Sequence, residues 1–499
     1  MIRPRPLTLF VQSFAAFSLG CSIAVAQVSE TANTVNASSK IPSVQELRDM
    51  ESRATRAIQK TLPAIVAVGN RFGRKPENVL WEGERLASGV IIREDGLILS
   101  QYHVSHTGLV DFENTGLRTY GKPGDTVDVI LHDGCRLEAE LLGGYQHADI
   151  SLLKLKEPGP YPYLDFANNG SAVLGDWVIK LGHPLGFQPS RGAVARLGRV
   201  VYVNPVNLVA DCMTSGGDSG GPIINLDAQI VGLVQNSDMP VEIAKVASDR
   251  GFAISYMTSA KIRGKLETML ASKIPHDTTF EDFYQRQRMY EETKNILGTA
   301  EARNGSVVRS SWKPIAESNK NSVVEVLGTD HKQVAYGTSI TTDGWILTKA
   351  SVVPEYPSCR LPNGEIVGAR IVGTDRMLDL ALLKVNAMGL AGVQWSKSEV
   401  DQVGALVMTM GSNSEPIAVG VVSTVVHTDP IYIERDHLVS GSYSRVFEHD
   451  MSLTTTQFGG PVFNLEGQAI GITMADAGLH GCLSVPAKDV VSCLERLRN

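Results

Sequence analysis

The chain has 499 residues, 43% of them hydrophobic and 47 of them glycine, with a net charge of -7 and a pI near 5.9. That length exceeds what one hydrophobic core holds and calls for two or three domains. The composition is that of a turn-rich globular protein, and its acidic balance excludes the broad basic face that nucleic-acid binding needs.

Arg3 and Arg5 precede an apolar run from Leu7 to Val25, and Ala24-Val25-Ala26 offers a small-residue cleavage site before Gln27. Export with cleavage is the expectation, with residues 1–26 a signal peptide and the destination periplasmic or extracellular. Gln12, Ser13 and Ser18 interrupt the run and argue against a retained anchor. Ser18 also stands where a lipoprotein signal wants leucine ahead of Cys21. No later segment is apolar enough to span a bilayer. Five cysteines then remain, Cys135, Cys212, Cys359, Cys482 and Cys493, with no CxxC spacing. Neither a zinc site nor a disulfide framework is indicated, so each is expected to fill core space.

Ser43 and Glu46 have capping-box spacing and Pro63 ends the run, which predicts a helix over about 44–61. Gly89 to His103 reads GVIIREDGLILSQYH, an alternating strand, an Asp95-Gly96 turn and a second strand. Asp133-Gly134 marks another hairpin, and the apolar strand ADISLLKL runs from Ala148 to Leu155. VLGDWVIKLG follows, then GGDSGGPIINLDAQIVGL from Gly216. Thr279 to Gly298 predicts a polar helix, and residues 299–320 read as a polar linker.

Beyond the linker the same segments recur in the same order. GTSITTDGWILTKAS (Gly337 to Ser351) repeats the first hairpin, Asn363-Gly364 the second, and LDLALLKV (Leu378 to Val385) the apolar strand. QVGALVMTMG answers VLGDWVIKLG, and TTQFGGPVFNLEGQAIGI answers the glycine-rich loop. Asp450 matches Asp211, and Phe458 stands in the Ser219 column. This is a tandem duplication of a domain built from short, turn-punctuated antiparallel strands. The expected domains are residues 42–272, a helical and polar linker over 273–320, and a second copy over 321–499 that ends in a strand and short helix.

A serine hydroxyl needs an adjacent base, itself oriented by a third group, and amide donors aimed at the developing oxyanion. Ser219 lies between paired glycines that let the backbone bend tightly. His103 closes the first hairpin and Asp149 opens the apolar strand. Alone, His103 would read as structural and Asp149 as a turn residue, and His106 competes for the base role. The three in order make the stronger reading.

The order His103, Asp149, Ser219 and the GDSGGP loop resemble the chymotrypsin-like serine proteases. The closer resemblance is to the HtrA (Deg) branch and covers roughly residues 42–260. It rests on His103-Val104, on A-D-I-x-L-L-K at Ala148 to Lys154, on Leu174 to Gly186, and on GFAI at Gly251 to Ile254. The resemblance implies an all-β fold of tandem chymotrypsin-like double β-barrel domains. It makes Ser219 the nucleophile, His103 the general base and then acid, and Asp149 the group that fixes the imidazole. The amides of Gly217 and Ser219 would form the oxyanion hole, and uncharged Met213 the floor of an apolar P1 pocket.

Two departures stand out. HtrA-like enzymes usually carry Asn before the serine, whereas this chain has Asp218. In digestive relatives that Asp pairs with an amine released by zymogen cleavage, yet nothing around Thr61 to Val68 looks like an activation site. No space for a PDZ domain is evident either. In the second copy the columns read Ser351, Asp379 and Phe458, so base and nucleophile are both gone. The expectation is an exported endopeptidase acting on unfolded or damaged proteins or peptides, without metal or cofactor. The rival is a catalytically silent protease-like binding or holdase protein. No nucleic-acid or membrane-spanning partner is expected, and the resemblance implies a homo-oligomer. A third reading makes the second copy a partner-binding module that localises the protease; on it, removal of residues 321–499 is expected to spare small-peptide cleavage and abolish capture of a partner. The step from His103 to Asp149 is longer than that from Ser351 to Asp379, which predicts an extra loop around Thr107 to Asp128 in the first copy.

Overall fold

The alternation of apolar residues with Asp-Gly and Asn-Gly turns closes the chain into four six-stranded antiparallel barrels, two per copy. The computed structural model describes residues 41–70, 86–110, 118–145, 149–168, 172–203, 207–234, 254–258, 262, 266, 297, 300–400, 402–427, 445–476 and 481–498. The first barrel uses β1 (Ile65–Asn70), β2 (Ala87–Arg93), β3 (Leu97–Ser100), β6 (Thr126–Ile130), β7 (Arg136–Tyr145) and β8 (Ile150–Leu155). Its hairpin partners Val90 with Leu99 across the Asp95-Gly96 turn, where Gly96 has a φ of 84°. The second barrel uses β9 (Trp177–Gly182), β10 (Val194–Val203), β11 (Asn207–Ala210), β12 (Pro222–Asn225), β13 (Ile230–Val234) and β14 (Ile254–Thr258).

The second copy repeats this. Strands β15 (Val323–Leu327) to β20 (Leu380–Val385) close one barrel. Strands β21 (Leu406–Met410) to β26 (Cys482–Pro486) close the other in the matching order. The expected double-barrel fold and its tandem repeat are therefore what the chain adopts. The extra length after His103 folds as a two-stranded sheet of β4 (Thr107–Val110) and β5 (Arg118–Tyr120).

Helix α1 (Val44–Thr61) begins where predicted, with Ser43 and Glu46 closing a reciprocal capping box. It touches both copies. The Arg53 guanidinium donates to Asp227 at 3.0 Å, and the Glu51 carboxylate accepts the amide of Leu406 at 2.7 Å. Among the described residues no helix is long and apolar enough to cross a membrane.

Several expectations change. Residues 306–310 and 313–318 form short helices rather than a loose linker, because Val308, Trp312 and Ile315 lie at i, i+4, i+7 spacing and are buried. The predicted helix at 279–298 lies outside the described residues except for Leu297, whose amide donates to the Val201 carbonyl at 2.9 Å, and residues 251–253 of the GFAI segment lie outside them too. Cys135 is exposed, since it follows the Asp133-Gly134 turn at the start of β7; the other four cysteines are buried, and all five are free thiols.

The two copies share a buried polar seam. β10 packs on β22 (Pro416–His427), and the Asp450 carboxylate accepts the amides of Leu197 at 2.8 Å and Val421 at 2.7 Å. The Arg303 guanidinium bridges this seam, donating to Asp450 Oδ2 at 2.6 Å and to the carbonyl of Leu197 at 3.0 Å. The amide of Arg303 donates to Asp211, the matching aspartate of the first copy, at 2.7 Å. One apolar cluster runs from Ile58 and Leu99 through Trp312 to Met408 and Phe463. The two copies thus share buried polar and apolar partners, which removal of 321–499 would take from the first. Arg303→Met is expected to cost about 3–5 kcal/mol, because it leaves the fully buried Asp450 carboxylate without its cation. Chemical denaturation of the full chain measures this, and a loss under about 1 kcal/mol would contradict the clamp.

Candidate active site

β3 ends at Ser100, and His103 lies one turn further, on the short helix α2 (Tyr102–Ser105), not at the strand end. Its amide donates to Asp149 Oδ1 at 3.0 Å, and its ring Nδ1 lies 2.8 Å from Asp149 Oδ2. Asp149 reaches both because its backbone is left-handed, with φ 51°, a conformation that costs a non-glycine residue on the order of 1 kcal/mol. A carboxylate at Nδ1 holds the proton there and leaves Nε2 as the basic nitrogen. Burial pulls the His103 pKa down, but the hydrogen bond and charge of Asp149 outweigh it, and the net shift is upward. The competitor His106 is fully buried, bonded to Ser105 Oγ at 2.9 Å and stacked on Tyr102 at 3.9 Å, which makes it a core residue.

The loop between β11 and β12 carries Ser219, half-buried. The carbonyl of Ser219 accepts the amide of Ser88 at 2.9 Å. Gly220, with φ 85°, brings its backbone so close to β2 and β3 that a Cβ would lie 2.1 Å from the Ser88 carbonyl oxygen and 2.6 Å from Ser100 Oγ. Ser100 is three residues before His103, so this contact draws the serine loop of the second barrel onto the strand that leads to the imidazole.

Two peptide planes are pinned from behind. The Gly216 carbonyl accepts from the Leu185 amide at 2.7 Å, and the Asp218 carbonyl accepts from the Gly221 amide at 2.9 Å. A trans peptide directs its N–H opposite its carbonyl, so the amides of Gly217 and Ser219 are turned the other way. Ser88 Oγ holds the Gly217 carbonyl at 2.8 Å, and Gly217 has φ 95°, with no space for a Cβ beside the His183 carbonyl. Met213 is buried in the segment between β11 and the serine.

Behind the loop is a cluster that sequence reading missed. Asp218 is wholly buried and accepts from Lys180 Nζ at 2.7 Å, Arg196 Nη1 at 2.9 Å and the Ser215 amide at 2.8 Å. Burial alone would raise the carboxyl pKa, but Arg196 and Lys180 outweigh it and hold the group ionised. Burial and the neighbouring Arg196 lower the ammonium of Lys180 to about 7, against the pull of Asp218.

The second copy keeps this framework with other side chains in it. Asp379 is also left-handed, with φ 53°, and accepts the Ser351 amide at 2.7 Å just as Asp149 accepts that of His103. Ser351 Oγ and Lys349 Nζ then take up the rest of its carboxylate. Phe458 is buried, its carbonyl bonded to the Tyr336 amide as that of Ser219 is to Ser88. The amide of Phe458 is taken by the Thr455 carbonyl at 3.4 Å, so the second donor column is closed as well.

Comparison with known proteins bears on the family of the chain. The family model of the trypsin-like peptidase domain matches residues 87–233 and again 335–472, more than half of the chain. A probable periplasmic serine endoprotease DegP-like of Rickettsia conorii is 33% identical over 156 residues, 30% of this chain and 28% of the relative. The putative protease Do-like 14 of Arabidopsis thaliana is 33% identical over 190 residues, covering 36% of this chain and 41% of that one. A DegP-like protein of Pseudomonas fulva is 30% identical over 246 residues, 44% of this chain and 46% of the relative. The chain thus spans less than half the length of these relatives. A serine endoprotease of Yersinia pestis of solved structure is 21% identical with a TM-score of 0.33, covering 44% of this chain and 67% of that one. With the double barrel built twice and the family model matched in each copy, the chain belongs to the trypsin-like peptidase family.

Proposed function

We propose that the first copy is a serine endopeptidase with Ser219, His103 and Asp149 as its triad. Ser219 Oγ bonds to the scissile carbonyl carbon while His103 Nε2 takes its proton. The oxyanion is held by the amides of Gly217 and Ser219. Collapse breaks the C–N bond as His103 returns the proton to the leaving amine, and water repeats the sequence to free the acid. The observation that carries the reading is the double hold of Asp149 on the amide and Nδ1 of His103, kept at the cost of a left-handed backbone.

Uncharged, buried Met213 favours an apolar P1 side chain, and unfolded or damaged protein is the substrate class. The leader-like residues 1–26, together with relatives described as periplasmic serine endoproteases, support export to a periplasm. Residues 42–272 would form the active domain, 273–320 the connection, and 321–499 an inactive copy retained as a brace. A homo-oligomer remains the expected state.

A fluorophosphonate probe tests the assignment. Folded chain is expected to give one adduct, on Ser219, and peptide libraries are expected to be cut after apolar residues. No adduct on folded chain would refute the enzyme, and cleavage after Lys or Arg would refute the Met213 pocket.

A further inference from the structure

Lys180 and Arg196 face each other directly across β9 and β10, and both are fully buried. Like charges opposite one another in a ladder destabilise it, and a buried ion pair is on balance no more stabilising than apolar packing. The fourth barrel demonstrates that the fold does not need them. By strand register Thr409 and Ala418 are the cross-strand partners at those positions, and Gln457 stands in the Asp218 column. The Gly198 and Gly420 columns fix the same alignment, since a Cβ at either would strike the matched Asp211 or Asp450. Lys180, Arg196 and Asp218 are therefore lost together in the copy that lost its serine.

What the trio does in the first copy is hold the serine loop. The Asp218 carboxylate takes the Ser215 amide, and the Asp218 amide donates back to the Ser215 carbonyl at 3.2 Å. This closes residues 215–218 into the turn from which the Gly217 and Ser219 amides project. Lys180 Nζ also donates to Thr214 Oγ1 at 2.9 Å, one residue before that turn. Arg191 and Glu448, 3.7 Å apart, are further buried charges nearby, and Arg191 acts electrostatically on both Arg196 and Asp218.

We propose that Lys180 and Arg196 are positioning residues that anchor Asp218 from inside the second barrel and thereby keep the oxyanion hole ordered. They supply internally the cation that zymogen-activated relatives obtain from a freed chain terminus. The hole is then complete once the barrel closes, with no cleavage step. The proposal rests on the assignment of Ser219 as nucleophile.

The test uses the full chain and a peptide substrate. Asp218→Asn, Lys180→Met and Arg196→Met are each expected to lower kcat about 10²–10³-fold, the loss seen when an oxyanion donor is removed, with KM changed less than about threefold. Affinity for a peptide boronate, whose tetrahedral oxygen occupies the hole, is expected to fall in parallel with kcat. Single variants leave buried charge unbalanced, so the decisive chain carries Lys180→Thr, Arg196→Ala and Asp218→Gln together. These are the residues with which the fourth barrel folds. It is expected to unfold cooperatively near the parent midpoint, with kcat and boronate affinity reduced as in the single variants. A folded triple variant that keeps kcat and boronate affinity within about threefold of the parent overturns the positioning role. A parent chain with no Ser219-dependent turnover overturns the underlying assignment instead.

Discussion

Replacing Ser219 by alanine is expected to lower kcat about 10⁶-fold while leaving the fold intact. The change removes one oxygen from a half-buried loop position, and the bonds that shape the loop are made by backbone groups and by Asp218. Thermal unfolding should therefore shift by no more than about 1 kcal/mol equivalent. The residual rate should still exceed the uncatalysed one by about 10³–10⁴, because the amide donors remain. Restoring a serine in the other copy is not expected to compensate. A Ser219→Ala, Phe458→Ser chain still has Ser351 where an imidazole is needed, Lys349 on the Asp379 carboxylate, and the residue 458 amide bonded to Thr455. Active-site titration and peptide turnover on the two variants read this directly. Residual turnover within about tenfold of the parent in Ser219→Ala would place the nucleophile elsewhere.

What the sequence discloses of this molecule is what lies close along the chain or repeats within it. The Asp95-Gly96 and Asp343-Gly344 turns, the capping box at Ser43 and the paired glycine-rich loops are all local patterns, and they lead to the duplication and the barrels. The duplication in turn aligns His103 with Ser351 and Asp149 with Asp379, and both aspartates have the same left-handed backbone. The anchors of the site escape such reading for a physical reason. Lys180 and Arg196 sit in V-I-K-L and A-R-L, alternations that normally direct the charged residue to solvent. Only closure of the second barrel, with the serine loop brought against β9 and β10, turns them inward onto Asp218. Arg303 is hidden likewise, since its partners Asp211 and Asp450 lie 92 and 147 residues away, one in each copy. The signal available was the pair Asp218 and Lys180, a lone carboxylate and a lone cation in otherwise apolar surroundings, each needing a partner.

Asp149→Asn separates orientation from scaffold. Asparagine tolerates a left-handed backbone, so the turn before β8 should survive, and its side-chain oxygen can still accept the His103 amide. What it lacks is the negative charge, and its amide can present an N–H to Nδ1, which drives the ring proton to Nε2 and blocks the base. The expected loss in kcat is about 10⁴-fold, the scale known for this change in chymotrypsin-type triads. The pH profile gives a second reading with a defined sign. With His103 as the proposed base, catalysis needs its neutral form, so kcat/KM of the parent should rise with pH through a midpoint above the ordinary histidine value of 6.5, because Asp149 raises that pKa against burial. With the charge gone, burial is the remaining influence and favours the neutral ring, so the variant's acid limb should move to lower pH even as its plateau falls. An unmoved midpoint would mean that the limb belongs to another group and that Asp149 does not act through His103.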